Sequence, residues 1–566
     1  MSPSENTGDP PSGNDVLAQQ AIVTGIICRH IAGISFGTTA LALHRQGILK
    51  DLAASDIPVA IDALAQSREV RRGYFHLAFK LLCTEGLIER SGDIPAGDTR
   101  VILTPEGRAW VPLASSYEQM PALLDAALEI SGLFDGGDGP DIHSLRDLFN
   151  PPVLADAVGP MADRVRGHLE GPVISAVMYE LYRRNFFDKM NEKEAAPFSF
   201  AALGVPSGAA ELAFYFLDSQ GWVAGEQAAL TLTTAGQLAC RLCVQTFYPL
   251  GYIPTYRRVP EMIFCGDVGD LARDDAGNER HVDRALDIEF SGLVFEKTCK
   301  APFFEMVLPL FDREPLSEQP IAVIDSGSGD GTLLRELFFA IRDRTRRGAA
   351  LADYPLVMIG AEYNAEARLA SERALSDASV PHLCLFGDIS DPGCLKANLA
   401  EKGIDAANAL HVSKSVIHNR PYRSPRDKEL LAQYVPMSTA VFVDPEGGLI
   451  SAHDLELNLV EHFIDWRELT GRHGMVVIEA HTMDPELVSQ SFLRSMITSL
   501  NASHGFSHQY LVEVEAFRNA AVLAGYQLLA SRDIASAFPR PVLSLNHFKP
   551  SEAIAARPPF EAVKTA

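Results

Sequence analysis

Basic residues are in short supply: 49 Lys and Arg stand against 73 Asp and Glu in 566 residues, a formal net charge of −24. A surface so poor in cations lacks the field that a phosphate backbone or an anionic membrane face requires. Cysteine is scarce too, with eight in the chain, mostly set in apolar runs such as "LLCTEG" and "MIFCG" that mark reduced core residues. The C-x-x-C of "ACRLCVQ", Cys240 to Cys243, has no second pair for zinc and reads the same way. The opening "MSPSENTGDPPSGND" lacks the basic and apolar regions of a secretory leader. The most apolar segment, Ala21 to Leu43, is interrupted by Arg29 and His30 and rich in Gly and Thr, so it reads as a buried helix or helix pair, not a membrane span. The expected setting is the cytoplasm, with neither nucleic acid nor membrane as partner.

What is present is enough apolar residue, 47% of the chain, to bury sizeable cores in two to four domains. The first half repeats itself. "HLAFKLLCTEGLIERSGD" (His76 to Asp93) with "VILTPEGRAW" (Val101 to Trp110) lines up with "ELAFYFLDSQGWVAGEQAALTLTTAGQLA" (Glu211 to Ala239). Each copy predicts a helix stopped by a glycine, Gly86 or Gly221, then two strands closing on Leu-Thr. Helix, strand, turn, strand is a winged-helix-like pattern. Such modules bind DNA through a helix in the major groove, but "GAAELAFYFLDSQ" has no Lys or Arg. Dimerisation or covering a substrate is the better reading. Residues 251–302 read as a connector that covers a site.

From Pro320 the grammar becomes alternating strands and helices, the mark of an open, mostly parallel α/β sheet. "IAVIDSGSGDGTLLRELFFAI" is a strand, a turn patterned Asp325-x-Gly327-x-Gly329-x-Gly331, and a helix. Glycines there let a ligand approach the backbone at the strand's carboxyl end. "LVMIGAEYN" ends a second strand in Glu362, placed for two ribose hydroxyls. "LCLFGDISDP" ends a third at Asp388 and Ile389, suited to an adenine amino group and its flat face. A nicotinamide dehydrogenase fits less well, because the glycines lack the dinucleotide order. The set resembles class I S-adenosylmethionine (SAM)-dependent methyltransferases. That resemblance implies that Gly327, Gly329 and Gly331 line the methionine and ribose region, with Asp325 at its start. Glu362 would hold the ribose, and Asp388 with Ile389 the adenine. The interval to Glu362 is long because of "RDRTRRGAALADYP", read as a loop insertion.

The next strand runs into "SKSVIHNRPY". In related O-methyltransferases a similar stretch places a histidine over the methyl group as general base, and His418 matches it. "HGMVVIEAHTMDPE" then ends a strand in Glu479 and His481, and "SHGFSHQYLVEVEAF" carries His504, His508, Gln509 and Tyr510. Neighbouring tips of a parallel sheet share one rim, so His418, His481 and Gln509 are expected to converge. Two imidazoles and an amide oxygen suit a six-coordinate Fe(II) or Mn(II). His508 in place of Gln509, and Asp444 in "VFVDPEGG" as an oxygen ligand, stay open. These stretches, with "VFVDPEGGLISAHDLELNLVEHF" between them, resemble the metal-dependent C-methyltransferase domains of apratoxin-type polyketide loading modules. The resemblance implies His418, His481 and Gln509 as metal ligands, and methylation of a malonyl-type or oxo-acid carbon in natural product biosynthesis. A chelated metal would stabilise the enolate. Arg420 would pair with a substrate carboxylate.

The expected architecture is an α/β Rossmann-like class I methyltransferase domain preceded by a mainly helical region with two winged-helix-like modules. Residues 1–14 form a tail, 15–250 the helical region, 251–302 the connector, 303–550 the SAM-binding domain and 551–566 a second tail. The expected partner is a small-molecule or carrier-protein-bound acyl substrate, with homodimerisation through the first half. Two alternatives stand beside it: a metal-free small-molecule O-methyltransferase with His418 as base, and a SAM-sensing winged-helix regulator without turnover.

Overall fold

The computed structural model describes residues 13–92, 98–191, 197–271, 279–427, 432–490, 496–534 and 540–551. Residues 552–566 of the expected second tail and 1–12 of the first lie outside them. The chain folds as two compact units, each drawing on more than one stretch of the sequence. One takes Met1–Lys50, Pro105–Arg257 and Ser491–Ser499; the other takes Asp51–Thr104, Arg258–Gln490 and Leu500–Ala566. The first repeat lies in the second unit up to Thr104; its last residues, Pro105–Trp110, lie in the first unit with the second repeat.

The first unit is built on the 33-residue helix Gly13–Arg45 and the helix Pro160–Arg183. Small residues let their backbones touch: a Cβ on Gly33 would lie 2.2 Å from the carbonyl oxygen of His168, and one on Gly171 2.2 Å from that of His30. By length and composition Leu17–Arg45 could cross a membrane, but 89% of its most apolar window is buried inside the protein, as in a core helix. The second repeat gives the helix Ser207–Ser219 and the antiparallel pair Val223–Glu226 and Ala229–Leu232. Cys240 and Cys243 are both buried on one helical run, with Cys243 Sγ donating to the Cys240 carbonyl.

The second unit holds a seven-stranded sheet whose strands are labelled here in chain order: β1 (Ala322–Ser326), β2 (Val357–Glu362), β3 (His382–Phe386), β4 (Leu410–Lys414), β5 (Met475–Ala480), β6 (Tyr526–Ile534) and β7 (Leu543–Pro550). The order across the sheet is 6-7-5-4-1-2-3, with β7 antiparallel to both neighbours and the other pairs parallel. The central strands β1, β2, β4 and β5 are buried on both faces, as a sheet covered by helices requires. Ala322 and Ile324 of β1 and Val477 of β5 pack one way, against Phe463, Trp466 and Phe517. Val323, Val412 and Val476 pack the other way, against Phe303, Leu337 and Phe338. The insertion after the helix Thr332–Arg344 is pinned by buried Arg347, whose guanidinium donates to the carbonyls of Pro320 and Pro355.

The first repeat belongs to this unit up to Thr104. The helix Arg72–Thr84 ends at Gly86, φ +68°, where Leu87 N–H reaches back to the Leu82 carbonyl, so the C-cap read from the sequence is in place. The hairpin Ile88–Ser91 and Arg100–Leu103 follows, and Val59–Ala60 adds to its second strand. Every residue of the helix from Gly73 to Thr84 is buried. No face is left to enter a DNA groove, which removes the basis for a DNA-reading role of this helix.

Candidate active site

The carboxyl ends of β1, β2 and β3 form a cradle. Gly327, φ +80°, follows β1 and donates its N–H to the Ala361 carbonyl at 2.7 Å; a Cβ here would lie 2.3 Å from Val416 Cγ2. Glu362 ends β2 with its two oxygens held by backbone: Oε2 accepts from Gly329 N–H (3.0 Å) and Oε1 from Asn364 N–H (2.9 Å). The carboxylate is thus fixed beside the glycine turn. Gly331 caps the following helix, and a Cβ on Gly329 would meet nothing within 4 Å, so the turn opens onto free space at its middle.

Asp388 accepts from Ser390 N–H (2.8 Å) and Ser390 Oγ (2.7 Å), and the Ile389 carbonyl accepts from Trp466 Nε1 (3.0 Å). Ile389 lines a small cavity with Ser326, Ser413, Ile417 and Trp466, which joins the tips of β1, β3 and β4. The polar atoms left over are informative. Asp325 Oδ1, Ser326 Oγ and Ser328 Oγ are buried, without a hydrogen-bond partner among the described residues. Burial, with Glu362 adding to it, pushes the Asp325 carboxyl up to about 8. Such atoms are costly unless a ligand meets them. The ammonium and ribose of SAM are groups of the right kind, so the residues present fit that cofactor.

At the tip of β4 the chain turns through Ile417–Asn419, placing His418 beside β5. His418 Nδ1 lies 2.6 Å from Glu479 Oε1, and Glu479 Oε2 accepts from Ile417 N–H at 3.0 Å. Both side chains are buried. Burial works to raise the Glu479 carboxyl, but the His418 charge and hydrogen bond outweigh it and hold it below its ordinary value. A carboxylate only accepts, so Nδ1 carries the proton that points at Glu479. Nε2 makes no hydrogen bond among the described residues. The His504 ring meets the His418 ring edge-on, centroids 4.9 Å apart.

The other expected site residues have partners of their own. His481 is buried between β7 and the following segment, with Nδ1 3.2 Å from the Val512 carbonyl and Nε2 2.6 Å from Ser544 Oγ. Both ring nitrogens are committed, and burial pushes this histidine down to about 4. Gln509 Nε2 donates to Ser507 Oγ, while His508 Nε2 pairs with Tyr74 Oη at 2.6 Å. Asp444 Oδ1 accepts from Glu446 and Gly448 N–H, shaping a turn. Among the described residues no group of three His, Cys, Asp or Glu is arranged to hold a metal. Nothing among the described residues supports the expected Fe(II) or Mn(II) centre on His418, His481 and Gln509. Arg420 is buried, and its guanidinium donates to Asn458 Oδ1 and to the carbonyls of Ile417 and Leu455. It shapes the loop under His418 and meets no carboxylate among the described residues.

The partnership of Glu479 with His418 escaped sequence reading, although Glu479 was visible at a strand end. So did Lys80, whose Nζ reaches Thr482 and Asn501 just past β5. The available signal was one lysine inside the apolar run "HLAFKLLC".

Residues 279–545 match the AprA MT2-like domain family, and residues 23–90 the AprA N-terminal domain family. No curated relative matches the sequence. Among solved structures the chain is similar to an O-methyltransferase family protein from Burkholderia thailandensis, at 14% identity over 70% of this chain and 100% of that one, TM-score 0.39. It is also similar to the DszA carbon methyltransferase, at 14% identity over 72% of this chain and 94% of that one, TM-score 0.30. The CurJ carbon methyltransferase is a third, at 11% identity over 84% and 98%, TM-score 0.32. Residues 23–90 are thus similar to an AprA N-terminal domain, and residues 279–545, a little under half of the chain, to an AprA MT2-like methyltransferase domain.

Proposed function

We propose that the enzyme methylates an acidic carbon of an activated acyl group, malonyl-type or oxo-acid, with His418 as general base. The observation that supports this most is the His418–Glu479 pair: a 2.6 Å contact at Nδ1 that leaves Nε2 free to accept a proton. When bound, SAM supplies an electrophilic methyl group on a sulfonium. Asp325, Ser326 and Ser328 hold its polar end, and Glu362 the region beside the glycine turn. His418 Nε2 takes the proton from the acceptor, and the Glu479 anion stabilises the imidazolium that forms. Positioned base catalysis of this kind contributes about 100- to 10,000-fold.

The resemblance to polyketide loading-module domains favours carbon over oxygen as the acceptor. In this reading the protein works in the cytoplasm on a free or carrier-bound acyl group, without nucleic acid or membrane, and dimerises through its first half. The same pair would also serve a hydroxyl acceptor, and the test separates the two. Wild type and His418→Ala are incubated with SAM and either malonyl or acetoacetyl thioesters or simple phenols. Carbon-methylated thioester, formed about 100-fold or more slowly by the variant, is the expected result. Methylated phenols with unchanged thioesters would make the enzyme an O-methyltransferase.

A further inference from the structure

Lys80 lies on the helix Arg72–Thr84, 3% exposed, between Phe79 and Leu81. Its Nζ donates to Thr482 Oγ1 (3.3 Å) and Asn501 Oδ1 (3.2 Å), two neutral acceptors, and has no carboxylate partner among the described residues. The acidic groups nearest to it are engaged elsewhere. Glu513 holds Ser438 and Thr439, Glu486 holds Arg90 and Cys83, and Asp484 caps the helix at Leu487. Arg90 and the histidine ring of His504 face the same region. A buried ammonium without a counter-ion is costly.

Asn501 supplies an independent sign. Its Oδ1 accepts from both Lys80 and Thr482 Oγ1 (2.6 Å), which fixes the amide orientation. Its Nδ2 is therefore turned elsewhere, buried and without a partner among the described residues. An ammonium with an unused N–H and an amide with unmet N–H groups stand side by side, donors lacking an acceptor. The place matters as well. Thr482 follows β5 two residues beyond Ala480, and Asn501 lies one turn before His504, whose ring packs on His418.

We propose that Lys80 and Asn501 form an oxyanion subsite that takes the free carboxylate of the methyl acceptor beside His418. The proposal rests on reading the site as an acyl methyltransferase. It assigns the N-terminal module a direct part in substrate choice, and it selects acceptors in which the acidic carbon bears a carboxylate over neutral acyl groups. A carboxylate bonded to that carbon anchors it one bond from the held group.

The probe is malonate, with dimethyl malonate as the uncharged control, titrated calorimetrically into full-length protein saturated with S-adenosylhomocysteine. Wild type is expected to bind malonate and not the diester. Lys80→Met should weaken malonate binding about tenfold or more, the loss of one charge-assisted hydrogen bond. Asn501→Asp covers the case in which Lys80→Met does not fold. It gives Lys80 a carboxylate partner in place, so malonate binding should vanish while the melting temperature holds or rises. No malonate binding by wild type, or equal affinity in wild type and the folded variants, overturns the subsite. A separate methylation assay keeps the two readings apart. Acyl methylation with malonate binding indifferent to Lys80 sinks the subsite alone. Malonate binding through Lys80 with methylation confined to hydroxyl acceptors sinks the acyl reading alone.

Discussion

His418 and Glu479 share one proton across 2.6 Å, and the nitrogen that carries it decides what the site can do. With the anion at Nδ1, a neutral imidazole is pinned in the tautomer that leaves its lone pair on Nε2, as the proposed base requires. Glu479→Gln removes the anion while keeping the shape. We expect kcat to fall about 100-fold or more with SAM affinity unchanged, measured by single-turnover assay and calorimetry. A variant with wild-type kcat would remove Glu479 from the mechanism. The same scale shows why the two strand-end histidines could not be told apart in the sequence. His418 and His481 both stand past a buried strand, and only the neighbours across the sheet distinguish them. One meets Glu479; the other meets Ser544 and the Val512 carbonyl.

Among the elements, the helix Arg72–Thr84 shows how a module from early in the chain becomes part of the catalytic unit. Gly73 N–H donates to the Gly447 carbonyl at 2.8 Å, and a Cβ there would lie 2.4 Å from the Gly448 oxygen. The helix thus rests directly on the turn between the short strands Phe442–Val443 and Leu449–Ile450. Further along, Arg90 of the hairpin pairs with Glu486 at 2.8 Å. Gly73→Val should force the helix off this turn, cost about 1–3 kcal/mol in urea unfolding and raise the KM for the acceptor more than that for SAM. Unchanged stability would show that the helix is not seated as described. The helix, its glycine stop and the hairpin were all readable from apolar spacing and the Leu-Thr repeat. Its placement was not, because a helix apolar on most of its faces buries itself against any apolar neighbour, and spacing does not say which.

For the molecule as a whole, buried neutral histidines tie stability to pH. Burial pushes His411, His481 and His508 down to about 4 and His462 to about 3. Between about pH 6.5 and 4 the unfolded chain takes up protons at these positions before the folded one does. Folding stability therefore falls with acidification, by up to roughly 1.4 kcal/mol per pH unit for each group. Asp325, pushed up to about 8, acts the other way: the folded state keeps its proton where the unfolded state has lost it, so this one group favours folding as pH falls from 8. Four histidines outweigh it. The urea midpoint should drop steadily from pH 6.5 to 4.5, and a flat profile would contradict the burial of these rings.

By itself the sequence determined the alternating sheet, the Gly327-x-Gly329-x-Gly331 turn, the acidic ends of the strands and the repeat of the first half. Each is a local pattern: strand periodicity, glycine at a positive φ, a stop after an apolar helix. Only the tertiary structure decided that Glu479 holds His418, that His481 meets Ser544 and Arg420 meets Asn458, and that Lys80 reaches Thr482 just past β5. Those facts depend on which of several equivalent polar side chains meet across the sheet, between residues tens to hundreds of positions apart, and no local pattern encodes that choice.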